Sequence, residues 1–278
     1  MRRLTGFVCE GAWCAATLDT GDSDTGLLIV SGGNEIRSGA HAGQASLAAH
    51  FAAQGHPVFR YDRRGIGESE GANAGFESSA ADIAAAIAAF RAEMPHLRRL
   101  VAFGNCDAAS ALALFHQPLA IDHLVLANPW VIEAAEQDAP APISAAAIRS
   151  RYWARLKNPR SLIDLLTGKV DMSKLAAGLA RATHKDGPSG LAQRINGSLA
   201  ASSVQTTILL AKRDTTAMAF ASAWNSSAFS VVRQRSNVAL HSLDSASHSF
   251  ADAQAKQWLI AQIEKALASQ ALRQKCVR

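Results

Sequence analysis

Two rhythms of apolar residues divide the chain. Between residues 6 and 19 apolar and polar positions alternate, with a break at Glu10-Gly11. Alternation sends successive side chains to opposite faces of a half-buried strand, and Glu-Gly is a turn signal, so an antiparallel hairpin is expected. Beyond residue 25 the apolar positions become short continuous runs: Gly26-Leu27-Leu28-Ile29-Val30, Val58-Phe59-Arg60-Tyr61, Leu100-Val101-Ala102-Phe103, His123-Leu124-Val125-Leu126-Ala127 and Thr207-Ile208-Leu209-Leu210-Ala211. A strand apolar at every position is covered on both faces, the condition of a parallel sheet with crossover helices. Helical spacing lies between these runs. Ile83, Ile87 and Phe90 recur at i, i+4 and i+7, and Ala48, Phe51 and Ala52 share the inner side of an earlier helix. The fold class expected is α/β, a mostly parallel central sheet preceded by an N-terminal antiparallel hairpin.

One interval breaks the rhythm. From about Trp130 to Val204 there is no convincing strand, but Pro140, Pro142, Pro159 and Pro188 and helical segments around Ser150 to Leu156 and Leu162 to Leu166. That is far longer than an ordinary connection and is expected to be an inserted helical lid. The organisation is then a core in two parts, residues 1–129 and 205–278, around a lid at 130–204. Residues 149–194 carry ten Lys/Arg against three Asp/Glu. A solvated helical surface is a simpler reading of that excess than an anionic substrate.

Composition narrows the classes. In 278 residues, 49% hydrophobic, there is ample material for a core, and Gly and Pro are too few for a disordered or collagen-like chain. A net charge of +5 without a long basic run gives little support to nucleic-acid binding. Charged residues or His interrupt every Ala/Leu-rich stretch before it reaches the roughly 18 residues a membrane span needs. The start, Met1-Arg2-Arg3, reaches Glu10 before a signal-peptide core can form, and the location expected is cytoplasmic. Cys9, Cys14, Cys106 and Cys276 match neither a disulfide framework nor a zinc site. Neither a metal nor an organic cofactor is expected, and the sequence is silent on oligomeric state.

The candidate chemistry centres on Leu100-Val101-Ala102-Phe103-Gly104-Asn105-Cys106-Asp107-Ala108-Ala109-Ser110, an apolar strand running into a small-residue turn and an Ala/Leu helix. A nucleophile on a sharp strand-to-helix turn needs small residues two positions away on each side, and Gly104 and Ala108 supply them. At the helix N-terminus Cys106 meets the positive end of the helix dipole. The chain order nucleophile, acid, histidine continues with Asp214, after the run Ile208 to Ala211, and His248 in Ser247-His248-Ser249. Such chemistry needs a base in reach of sulfur and a carboxylate that fixes the ring. Asp244 is a rival acid nearer His248 in sequence. A glycine-rich turn, Ser31-Gly32-Gly33-Asn34, follows an apolar strand, and the N–H groups of Gly33 or Asn34 with that of Asp107 form a candidate oxyanion hole. His241 and His123 fall within apolar strand patterns and read as core histidines. Arg37, after the glycine turn, is left outside the catalytic set. Trp130, Tyr152 and Trp153 are candidates to line an apolar pocket under the lid, with plain core the commoner role.

These residues resemble the α/β-hydrolase family, as does Tyr61-Asp62-Arg63-Arg64-Gly65-Ile66-Gly67-Glu68-Ser69, which matches that family's Asp-x-Arg-Gly-x-Gly-x-Ser turn. The resemblance spans nearly the whole chain. It implies the α/β-hydrolase fold, places the acid at Asp214 rather than Asp244, and gives Asp62, Arg63 and Arg64 the task of bracing loops. More narrowly, Ser31 to Gly39, the Gly104-Asn105-Cys106-Asp107-Ala108-Ala109-Ser110 turn and Leu165-Leu166-Thr167-Gly168-Lys169-Val170 resemble the exosortase A system-associated hydrolase 1 group. That likeness implies an association with exopolysaccharide and protein-sorting systems, while the small-molecule or carrier-linked acyl substrate is expected from the candidate chemistry. Two departures from the family's Gly-x-Ser-x-Gly stand out: cysteine replaces serine, and Ala108 replaces the second glycine. The expected activity is hydrolysis of an ester or thioester. Transfer of the acyl group to a saccharide or carrier, and a silent binding protein that keeps the fold, are the alternatives.

Overall fold

A computed structural model describes residues 1–132 and 189–269. Eight strands form one sheet in the order β1-β2-β4-β3-β5-β6-β7-β8, where β1 is Arg2–Cys9, β2 Ala12–Asp19, β3 Thr25–Val30, β4 Val58–Tyr61, β5 Arg99–Asn105, β6 His123–Ala127, β7 Gln205–Ala211 and β8 Val238–Leu243. The hairpin β1–β2 is antiparallel, β2 meets β4 antiparallel, and every pair from β4 to β8 is parallel. This is the α/β-hydrolase fold expected. The hairpin turns at Glu10 and Gly11, with φ of 46° and 83°, the left-handed pair that a two-residue turn requires.

Helices cover both faces, which is why the strand runs read as continuous hydrophobe. Leu28 and Val30 of β3, Leu100 and Ala102 of β5, and Leu124 and Leu126 of β6 face α2 (Ala80–Glu93), α3 (Asp107–Phe115), α4 (Gly190–Ala201) and α5 (Thr215–Trp224). Their neighbours Leu27, Ile29, Val101, Phe103 and Val125 face α1 (Gly43–Ala53) and α6 (Ala253–Ala268). Period-two alternation therefore feeds two cores at once. On α2, Ile83, Ile87 and Phe90 are buried as their spacing predicts, and Phe90 stacks on Phe59 with centroids 5.3 Å apart. In α1, Ala48 and Phe51 are buried.

Most of the segment expected as a lid, together with its helical stretches and Tyr152 and Trp153, lies outside the described residues. Its described end is α4, whose Leu191, Ala192, Ile195 and Leu199 are buried with α3 in the core. Among the described residues no helix is long and apolar enough to cross a membrane. His123 is a core histidine as expected: it bonds Thr207 Oγ1 at 2.8 Å, and burial first, with Arg99 nearby, pushes its pKa down to about 4. His241 departs from the expectation and is exposed. The reason is topological, since β8 closes the sheet and alternates between half-buried and exposed positions.

Candidate active site

Gly104 is the last residue but one of β5, and a Cβ there would stand 2.8 Å from the carbonyl carbon of Ala108, so α3 leaves β5 at a distance only glycine permits. The chain turns between the two at Cys106, with φ 62° and ψ −126°, a conformation that L residues other than glycine rarely adopt. Hydrogen bonds fix the turn: the Cys106 N–H donates to Ala127 O at 2.9 Å, and its carbonyl accepts from Trp130 N at 3.2 Å. Trp130 itself is half-buried against the core. Ala108, in place of the family's second glycine, is buried in the approach.

Asp214 begins α5 as its N-cap. Its Oδ2 accepts the Ala217 N–H at 2.9 Å, which leaves Oδ1 aimed at His248 Nδ1, 3.0 Å away. One carboxylate thus serves a helix end and an imidazole together. The Cys106 side chain also stands near enough to act on the His248 imidazole. The structure therefore brings Cys106, His248 and Asp214 together, although 142 positions separate the first from the second in numbering. Asp244 is exposed and pairs with Arg213 at 2.9 Å, away from the imidazole.

The electrostatics follow. The hydrogen bond to Asp214 first, then that to Cys106, pushes the His248 pKa up to about 10 against the opposing effect of burial. Burial of Asp214 works to raise its carboxyl pKa, but the bonds from His248 and the Ala217 N–H, with the imidazole's charge, outweigh it and the net direction is down. An imidazolium–carboxylate pair beside sulfur is the state these shifts favour.

The glycine turn sits opposite. Gly33, at φ 55°, has its carbonyl held by the Arg63 guanidinium, and Arg63 is anchored on Ser79 Oγ at 3.0 Å. Its N–H donates to the Asp107 carboxylate at 2.6 Å. Of the three candidate oxyanion donors, Gly33 is thus engaged by a neighbour's side chain. The Asp107 N–H stands at the first position of α3, where no carbonyl of the helix reaches it. Asn34 is exposed, with its side chain on Asn73. Arg37 turns away from the site to Asp62, Thr17 and Glu68, and the fully buried Asp62 also accepts the Arg37 N–H at 2.5 Å. Arg64 grips Asp82, so the Asp62-Arg63-Arg64 turn braces loops.

Asn128 has a part that no spacing in the sequence announced. Fully buried at the end of β6, it accepts the Ala211 N–H at 2.9 Å and donates to the His248 carbonyl at 3.0 Å. It joins β6, β7 and the histidine loop. A cleft of about 90 Å³ lies alongside, lined among others by Asn105, Ser249, Glu35, Gln44 and Phe250.

The fold and this arrangement define an α/β-hydrolase. Residues 22–251 match the family model described as serine aminopeptidase, S33, and the chain belongs to that hydrolase family. Cysteine occupies the turn where the family's name implies serine. Among solved structures it is similar to an esterase of Pyrococcus furiosus (13% identity over 96% of this chain and 90% of that one, TM-score 0.64). A thioesterase domain from the curacin biosynthetic pathway (14%, 95% and 99%, TM-score 0.56) and a proline iminopeptidase of Mycobacterium smegmatis (17%, 95% and 97%, TM-score 0.58) share the fold. No curated protein matches the sequence.

Two measurements check this geometry. Asn128→Ala leaves the Ala211 N–H buried without an acceptor, and urea denaturation should show a loss of about 2 kcal/mol. The second concerns pH. The raised His248 pKa contributes stability that is fully present below pH 6.5 and gone above about pH 10. The lowered Asp214 pKa contributes above about pH 3.8 and loses its effect as pH falls. The urea midpoint of the native chain should therefore decline between pH 6.5 and 10, and Asp214→Asn should flatten that decline.

Proposed function

We propose that the protein hydrolyses a carboxylic ester or thioester through a covalent acyl-enzyme on Cys106. The observation that supports this most is the contact of Asp214 Oδ1 with His248 Nδ1 at 3.0 Å, with Cys106 among the groups that act on the same imidazole. In the proposed sequence the proton given up by sulfur already rests on His248, in keeping with the raised imidazole pKa, and the sulfur attacks the substrate carbonyl carbon. A tetrahedral oxyanion forms, held by the N–H of Asp107 and by that of Gly33 or Asn34. Collapse expels the alkoxide or thiolate, which receives the proton from His248. Water then gives a proton to His248 and attacks the thioester, releasing the acid and restoring the thiol. Asp214 holds the ring orientation and stabilises its charge throughout. The scheme calls for no metal or organic cofactor.

The segment 130–204 is proposed as the lid, tied to the core by α4. The substrate proposed is a small-molecule or carrier-linked acyl compound and the location cytoplasmic, and the resemblance to the exosortase-associated group supports a connection with exopolysaccharide systems. A thioester intermediate is more reactive toward other acceptors than an oxygen ester, so cysteine at this turn favours acyl transfer as the second reading; acylated acceptor as main product would establish it.

Cys106→Ala should abolish turnover of p-nitrophenyl esters with the far-ultraviolet circular dichroism unchanged, and His248→Ala should come within tenfold of that loss. Wild-type rates in either variant refute the assignment. Asp107 provides a finer check, because its carboxylate sits on a donor the oxyanion needs. Asp107→Ala keeps the backbone N–H while freeing that of Gly33, and kcat/KM should rise about tenfold, roughly 1.4 kcal/mol. Stability should fall by about 0.5 kcal/mol as α3 loses an acid from its first turn.

A further inference from the structure

The cleft beside the proposed catalytic residues carries two charges that the chain leaves without a counter-charge. Glu35 enters it from the loop between β3 and α1, and Lys256 from the first turn of α6. Among the described residues the Glu35 carboxylate receives only neutral donors, the Ala40 N–H at 3.3 Å and Gln44 Nε2 at 3.2 Å. The Lys256 ammonium donates only to Ser46 Oγ, at 2.7 Å, and the two charges do not pair with each other. Both groups keep hydrogen-bonding capacity beyond these contacts.

Two more polar groups reach the cleft from the catalytic loops. Asn105 precedes Cys106 and Ser249 follows His248, so each lies one Cα step, about 3.8 Å, from a proposed catalytic residue. The Asn105 amide oxygen accepts Asn128 Nδ2 at 3.3 Å, while its own NH2 group and the Ser249 hydroxyl have no partner among the described residues. Beneath them the lining is apolar, with Phe103 and Phe250 both buried. The walls are fixed in shape. His41 and the adjoining Ala42 hold φ of 51° and 54°, and the same loop is tied by the Glu35 N–H on Gly32 O at 3.0 Å and the Gly39 N–H on Ile36 O at 2.8 Å. Across from it Phe250, at φ 53°, stacks on Trp258 of α6 with centroids 5.9 Å apart. Left-handed backbone at residues other than glycine persists only where its surroundings enforce it, and it collects at ligand sites. A preformed concavity with a few placed polar groups over an apolar floor is the form of a small-molecule site.

We propose that the cleft holds the leaving side of the substrate and that this side is a small α-amino acid, its ammonium on Glu35, its carboxylate on Lys256 and the acyl group carried on its side-chain oxygen or sulfur. This assignment rests on the acyl-enzyme reading above. A volume of about 90 Å³ accommodates roughly six to nine water-sized groups, the size of such an amino acid. A neutral polyol leaves both charges unmatched, and a simple anion or cation matches one and opposes the other. A zwitterion matches both. The Asn105 NH2 group and the Ser249 hydroxyl then stand between the bound amino acid and the sulfur, where they hold the ester link. As the Cys106 sulfur bonds to the acyl carbon, the bond from that carbon to the side-chain oxygen or sulfur breaks. The leaving atom takes the proton of His248, the free amino acid departs, and water releases the acid from Cys106.

Calorimetric titration of the Cys106→Ala chain, in which no acyl-enzyme forms, reads binding apart from chemistry. L-Serine should bind at one site per chain, and acetate, ethanolamine and glycerol, each offering only part of its groups, should bind at least about tenfold more weakly. Glu35→Gln keeps the size and an acceptor oxygen, and Lys256→Met keeps the stem. With circular dichroism unchanged, each should weaken L-serine about tenfold. In the native chain O-acetyl-L-serine, in mildly acidic buffer where the acetyl group stays on oxygen, should exceed ethyl acetate in kcat/KM by about a hundredfold. No binding of L-serine at about 10 mM, glycerol binding equal to that of L-serine, affinity indifferent to both charge changes, or equal kcat/KM for the two esters overturns the proposal. Failure of p-nitrophenyl acetate to acylate Cys106 overturns instead the reading on which it rests, and the two failures are distinguishable because L-serine binding does not require turnover.

Discussion

The close approach of β5 and α3 at Gly104 is the constraint on which the site depends. A helix lying 2.8 Å from where a side chain would stand leaves no room for a gradual turn, and the chain reverses at Cys106 with φ 62°. Backbone in that region costs on the order of 1–3 kcal/mol, and it persists because Ala127, at the end of β6, accepts the Cys106 N–H while Trp130, just beyond that strand, donates to the Cys106 carbonyl. The consequence is chemical. The Cys106 side chain is lifted off the sheet edge, half-exposed, with the N–H groups of a helix start behind it.

A polar frame then fixes what faces the sulfur. Asp214 is held by capping α5, so its second oxygen can be aimed at His248 without side-chain freedom. Asn128 ties the backbone of His248 to the end of β7. Arg63 holds the peptide of Gly33 from the far side. None of these contacts is strong by itself; together they leave the imidazole and the glycine turn few alternatives. Asp107 is the unusual member. It presents its N–H at the helix start and lays its carboxylate on the Gly33 N–H, so the same residue supplies one donor of the proposed oxyanion hole and occupies another.

Much of this was legible from the residues alone, for identifiable reasons. Continuous apolar runs mark doubly covered strands, and the run from Leu100 through Gly104 to Ser110 carries both the strand-to-helix switch and the small residues it requires. The strands Val58–Tyr61 and His123–Ala127 appear at the boundaries the pattern indicates. His241 was misread because an edge strand and a buried one share local composition, and only the sheet order distinguishes them. Asn128 was missed because a buried asparagine that bonds three chain segments has no local signature. The Asp107 contact to Gly33 joins residues 74 apart and required the fold.

The central claim is that sulfur at residue 106 becomes acylated with the help of the imidazole at 248. Intact-protein and peptide mass spectrometry after brief mixing with p-nitrophenyl acetate and a panel of acyl thioesters tests it most directly. The account predicts one acyl group per chain, located on Cys106 and absent when His248 is Ala. An unmodified Cys106 during active turnover, or acyl groups on other residues only, would contradict it.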